Sequence, residues 1–355
     1  MNREPLIAEY WDLLRARGIE HLIRPHLAPA DEAAAIACIR ESTERAAADW
    51  GEDNPFTDFS DPPLTRPAGT RPDRHAGTAA RIEKAIAALG FSLPGPVYVG
   101  EYPHQSLNAQ ACAVKNGTLL LVNVGLPYLL TDVALAFGTH ILKAHRNDDG
   151  TIEHQQSTEA MRRRADRSDE TLANSLATYL LHTNPALGGK QDADMTPRGA
   201  MSYAAAGAAI TFAVAHEYGH FLADHLNTPA TGFLKKTHDQ ELEADEIGML
   251  LSLRAQEFDT LHAEPFLAKA VAVQGAFLFF AVDHLLNRVR SELPAIFRDR
   301  ILSDHPPSDR RAARLRQTLI ELEGPDILQL ADALLPIIAS HEDRVITALR
   351  NLVTS

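Results

Sequence analysis

The stretch "AVAHEYGHFLADHL", residues 213–226, sets two histidines four positions apart with a glutamate directly after the first. On an α-helix, positions i and i+4 project from the same face. His216 and His220 can therefore grip one ion between them, while Glu217 sits one step round the helix. The competing reading is a helix that carries two ordinary, partly buried histidines. The rest of the chain has to decide between the two.

A zinc ion takes ligands at about 2.0–2.3 Å, and a catalytic site keeps three protein ligands with one position open. The third ligand is offered by "DQELEADEIGMLL", which begins 19 residues after His220, far enough for a turn and a second, antiparallel helix. Glu241 and Asp245 are again i and i+4. Glu241 completes a His/His/Glu set, and Asp245 can accept the outer N–H of a ligand histidine, fixing its tautomer. Glu243 and Glu246 compete for the ligand role. Glu243 lies about 200° round the helix from Glu241, and Glu246 has no acid one turn on. Two carboxylates buried side by side are costly unless a cation sits with them. In this reading Glu217 takes a proton from the water that attacks a carbonyl.

Working outward, the strand signal is confined to one region. "PVYVGEY" (96–102) is β-rich, and "NAQACAVKNGTLLLVNV" (108–124) holds Asn116-Gly117 between two apolar runs, the strongest short hairpin signal. The expectation is an α+β, predominantly helical fold with a small antiparallel sheet beside the histidine helix. Residues 1–50 read as an N-terminal helical region, with "PLIAEYWDLLRARGIEHLI" followed by a helix after Pro29. Residues 51–77, dense in Pro, Gly and Asp, read as a linker, and 78–355 as the main domain. "TAARIEKAIAAL" is a short helix stopped by Gly90. About 130–200 reads as helical, with Arg162–Arg164 on a solvated face.

The net charge of −13 argues against nucleic acid as the main partner. Two cysteines, Cys38 and Cys112, imply no disulfide framework and a reducing compartment. The N-terminus lacks the pattern of a signal peptide. The apolar stretches 204–215 and 270–282 are each about a dozen residues, short of the roughly 20 that span a bilayer, and read as core helices. The expected location is cytoplasmic, with no transmembrane segment.

Four segments in order resemble the gluzincin zinc metalloendopeptidases, the family of the HtpX heat-shock protease and the CAAX prenyl protease. They are "NAQACAVKNGTLLLVNVGLPYLL", "HEYGHFLADHL", "ELEAD" and "SDHPPSDRRAARL", together about 60 residues. The resemblance implies a zincin-like fold, one zinc ion per chain held by His216, His220 and Glu241, and Glu217 as general base. It also implies that His305 and Arg311 line the cleft and stabilise the oxyanion, where a preorganised donor lowers the barrier. If the strand Asn108, Ala109, Gln110, Ala111 edges the sheet above the metal, its free backbone groups can pair with an extended substrate. His225 matches a position where relatives often carry histidine, but at i+5 it should point away from the metal face and be structural. Two departures stand out: the 130–200 segment exceeds the short helix usual in the family, and many members are membrane-embedded.

The function expected is a soluble zinc-dependent metalloendopeptidase acting on a protein or peptide. The alternatives are a binding or regulatory protein on the same scaffold with weak or lost catalysis, and a zinc exopeptidase. An intact Glu217 argues against the first alternative, and no placed group to capture a free terminus argues against the second. The 130–200 segment is expected to gate access to the cleft.

Overall fold

The histidine stretch forms the last third of a 26-residue helix, Pro197–Leu222. Pro197 starts it at a position where the missing N–H costs nothing, and the Thr196 side chain caps it by accepting from the Gly199 N–H. Ala205, Ala209, Phe212, Val214, Ala215 and Tyr218 are buried round its circumference, so the helix runs through the middle of the protein. A computed structural model describes residues 3–23, 29–52, 74–141, 144–146, 152–189, 191–226, 237–258, 265–291 and 305–354. Most of the stretch read as a linker, 53–73, lies outside the described residues.

In chain order the helices are α1 (Glu4–Ala16), α2 (Pro29–Trp50), α3 (Ala76–Ala88), α4 (Gly125–Gly138) and α5 (Glu159–His182). There follow α6 (Pro197–Leu222), α7 (His238–Gln256), α8 (Pro265–Ser291), α9 (Ser308–Glu323), α10 (Gln329–Ala339) and α11 (Glu342–Thr354). Strands β1 (Val97–Tyr102), β2 (Ala109–Val114) and β3 (Gly117–Asn123) form one sheet. Strands β4 (Ala144–Arg146) and β5 (Ile152–His154) form an antiparallel pair. The fold is thus predominantly helical with a small sheet, as the patterning suggests.

The sheet is mixed, which corrects the expectation of an antiparallel one. Its order is β1-β3-β2, with β3 parallel to β1 and antiparallel to β2. After β1 the chain crosses one strand width before running back as β2, and the hairpin then folds β3 into the gap. β3 therefore retraces the direction of β1. The hairpin turn is also one residue earlier than Asn116-Gly117 implies: Val114 pairs Gly117 across Lys115-Asn116. Positive φ falls on Gly117 alone, at +146°, and a Cβ there would stand 2.3 Å from the Pro96 carbonyl oxygen. Glycine is required at that point for conformation and for space.

The two sheet faces go to different partners. Val97, Val99, Ala109, Ala111, Leu120 and Val122 join the main core with α4, α5 and α6. Tyr98, Tyr102, Cys112, Leu119 and Leu121 pack against Leu6, Tyr10 and Leu14 of α1. Burying Leu6 and Leu14 contributes about 1.5–3 kcal/mol each. Cys112 is free and buried on that outer face, and burial pushes its thiol up.

Two further expectations need correction. The 130–200 segment is not helical throughout, because β4 and β5 interrupt it. Its α5 is a core element: Leu172, Leu176 and Leu180 sit in the cluster shared with α6. Arg164 is not on a solvated face. It is buried, with its guanidinium 5.9 Å from the Trp50 ring and within 3.7 Å of Asp49 and Asp194. Finally, α8 is 27 residues long, and its most apolar window has a mean hydropathy of 1.7. By length and composition it suffices to cross a membrane, and 61% of that window is buried within the fold.

Candidate metal centre

α6 and α7 approach closely because each places a glycine at the crossing. A Cβ on Gly219 would stand 2.8 Å from the Ala244 carbonyl oxygen, and one on Gly248 would stand 2.8 Å from the His216 Cα. The order of these contacts, 216 with 248 and 219 with 244, makes the two helices antiparallel. α7 begins at a capping box in which the Thr237 side chain accepts from the Gln240 N–H and the Thr237 N–H donates back to Gln240. This fixes where Glu241, in the first turn, meets α6.

There the three groups converge. His216 Nε2 is 3.1 Å from His220 Nε2, and Glu241 lies 3.3 Å from each through its two carboxylate oxygens. All three residues are buried. A tetrahedral ion with bonds of about 2.0–2.1 Å holds its ligand atoms about 3.3–3.4 Å apart. The separation of the two imidazole nitrogens is close to that edge, and Glu241 faces each imidazole through a different oxygen, so the three residues can hold one ion between them. Glu243 is placed elsewhere, on the surface, and Glu246 binds Arg314 and Thr318.

Behind each ligand histidine stands a polar chain. His216 Nδ1 is 2.9 Å from Asp245 Oδ1. Arg311 grips the same carboxylate with two donors, Nε to Oδ2 at 2.7 Å and Nη2 to Oδ1 at 2.6 Å. The guanidinium is buried with its carbon 5.0 Å from the Phe280 ring. Arg311 is therefore committed to orienting Asp245, with Nη2 still 4.0 Å from Glu241.

His225 does not point away, contrary to the i+5 argument. α6 ends at Leu222, and Asp224 takes a positive φ of 60°, so the chain folds back. His225 Nδ1 lies 2.9 Å from His220 Nδ1, and His225 Nε2 lies 3.1 Å from Glu243 Oε2. If His220 Nε2 offers its lone pair to an ion, Nδ1 must carry the proton. It then donates to His225, which donates to Glu243. The tautomers of both rings follow from that single condition.

Charge at the site is strongly coupled. Burial pushes the His216 imidazole down, yet contact with Asp245 and Glu241 outweighs it and holds the ring up at about 9. Burial works to raise Glu241, and its hydrogen bonds to His216, His220 and His305 hold it well below the usual carboxylate range. Asp245 is likewise raised by burial and lowered further by Arg311.

A cavity of about 440 Å³ opens onto this cluster. Asn108, Ala109, His216, Glu217, His305 and Arg311 line it, with Tyr179 and Phe279 on other walls. Glu217 is buried beside the cluster. His305 Nδ1 is 2.5 Å from Glu241 Oε2. β2 is an edge strand whose only strand neighbour among the described residues is β3. Asn108 O accepts from Asn123 N at 3.1 Å, so by the antiparallel alternation Ala109 and Ala111 turn their N–H and C=O groups away from β3. Gln110 faces β3 and, like Ala111, is not part of the cavity wall.

Comparison with protein-family models, with curated proteins and with solved structures finds no match to this chain.

Proposed function

We propose that the chain is a soluble, cytoplasmic zinc-dependent metalloendopeptidase with a zincin-like fold, of the gluzincin kind. The observation that carries this reading is the convergence of the buried His216, His220 and Glu241 beside a cavity that Glu217 also lines. Zinc held by this set supplies a Lewis acid that polarises a carbonyl and lowers the pKa of water.

The chain's own residues do the rest. Glu217 accepts the proton of the attacking water and passes it to the leaving amine, as a general base and then a general acid. An extended peptide adds to the outer edge of β2 through Ala109 and Ala111, which sets the scissile carbonyl over the cluster. His305, on the cavity wall, offers a donor to the developing oxyanion, while Arg311 holds Asp245 and thereby His216.

The test is cleavage of casein and a peptide library by the zinc-loaded chain, with Glu217→Gln as control. The expected result is internal cleavage that falls by about 10²–10⁴-fold in the variant while zinc stays bound. Zinc binding without turnover would favour a binding protein, and single-residue trimming an exopeptidase.

A further inference from the structure

A second cluster lies apart from the first. His140 follows the end of α4, Asp169 is on α5, and His341 lies between α10 and α11. His140 Nε2 is 2.8 Å and His341 Nε2 2.9 Å from the same oxygen, Asp169 Oδ1. Asp169 and His341 are buried, and the His140 side chain is 30% exposed.

The tautomer of His341 can be assigned from its other side. Its Nδ1 is 2.7 Å from the Ile337 carbonyl oxygen, which offers only lone pairs, so Nδ1 carries a proton. A neutral His341 then aims the lone pair of Nε2 at a carboxylate oxygen. Two acceptors at 2.9 Å require a positive centre between them, either a second proton on the ring or a metal ion. A backbone carbonyl that fixes the outer N–H is also the usual support of a metal-binding histidine. The edges of Phe137 and His140 pack round the His341 ring, with centroids at 5.6 and 5.8 Å. Burial works to raise the Asp169 carboxyl, and the two histidines outweigh it, so the group is an anion. Arg344 is the competing cation. It lies 3.4 Å from the other oxygen, Oδ2, but its head is half exposed and shared with Asp166.

We propose that His140, Asp169 and His341 form a second, structural site for a divalent transition metal such as zinc, with solvent completing its shell at the exposed side of His140. Imidazole and carboxylate donors suit zinc. The two contacts to Oδ1 are about 0.4–0.6 Å shorter than the edge of a tetrahedral zinc site, so on binding the Asp169 carboxylate must draw back from both imidazoles by about half an ångström. The ion joins α4, α5 and the α10–α11 connection, and so staples the C-terminal helix pair to the core. The site is independent of the peptidase reading.

The test is zinc stoichiometry by elemental analysis on the full chain after zinc loading and dialysis, with folding checked by circular dichroism. The wild type should hold about two equivalents, His140→Ala about one, and His216→Ala/His220→Ala about one. Asp169→Asn, which keeps the side-chain shape, should match His140→Ala. In the double variant, zinc should raise the melting temperature by several degrees, and His140→Ala added to it should abolish the shift. One equivalent in the wild type that survives in the double variant and is lost in His140→Ala would sink the peptidase site and keep this one. A folded double variant that binds no zinc, or an unchanged zinc count in His140→Ala, overturns the proposal and leaves His341 as an imidazolium paired with Asp169.

Discussion

Gly248 lies directly against the backbone of His216, where an added Cβ would stand 2.8 Å from both its Cα and its N. The metal cluster depends on that contact, since it lets the carboxylate on α7 reach the imidazoles on α6. Gly248→Ala has no flexible side chain to push aside and must separate the helices. The expected cost is about 1–3 kcal/mol of stability, as for other overpacked contacts. Zinc affinity should fall by at least tenfold, because a shift of a few tenths of an ångström moves the Glu241 carboxylate away from the two imidazoles. Chelator competition and thermal melting of the variant measure the two effects. Wild-type affinity in Gly248→Ala would disprove the packing argument.

Asp245 and Arg311 form a buried pair behind His216, and the two partners should respond differently to removal. Asp245→Asn keeps the shape but weakens the hold on the His216 ring. Zinc affinity should drop by about 10–100-fold, the range for groups that orient a metal ligand. Arg311→Met leaves an uncompensated carboxylate in the interior and should cost about 3–5 kcal/mol of stability. The double variant Asp245→Leu/Arg311→Met removes both charges and should be more stable than Arg311→Met alone. Urea titration checks the order, and it would be reversed if the pair were a solvated surface contact.

Much of this site was legible because helices translate spacing into direction. The i, i+4 pairs His216/His220 and Glu241/Asp245 needed only the pitch of an α-helix, and the two helices carry them to one point. Legibility stopped where the chain left regular geometry. His225 was misplaced because the i+5 argument presumes a continuing helix, whereas Asp224 at positive φ turns the ring back onto His220. The hairpin was readable from two apolar runs around a turn, but its pairing with β1 was not, since alternation in a strand does not say which neighbour lies beside it. Strands β4 and β5, three residues each, are too short to show a period. The burial of Arg164 depends on Trp50 and Asp194, which sequence distance hides. Gly219 and Gly248, one small residue on each helix near the ligands, are a signal in the sequence for the close approach.

The chain from His220 through His225 to Glu243 predicts a graded loss. His225→Phe keeps the ring volume but removes the acceptor for the His220 Nδ1 proton, which should lower zinc affinity by about tenfold or more. Glu243→Gln should change it by less than about threefold, because Glu243 is exposed and solvent can take its place. The comparison is made by competition with a chelator at constant pH. Equal losses in the two variants would mean that the carboxylate, not the imidazole, sets the tautomer.

His75, which precedes α3, gives the fold a pH dependence separate from the metal. Burial pushes its imidazole down to about 4, and this outweighs the opposing pull of Glu101. The folded state therefore keeps His75 neutral while the unfolded chain, with a pKa of about 6.5, takes up a proton. Its contribution is fully present above about pH 6.5 and is lost as pH falls toward 4. A gap of this size corresponds to about 3 kcal/mol at most. His75→Gln cannot titrate, so its stability should vary less over that window than the wild type's. Urea midpoints at pH 7 and pH 5 for both proteins measure the difference, with zinc at saturation to hold the metal contribution to folding in place. Parallel losses in the two would show that His75 is protonated as readily in the folded chain as in the unfolded one.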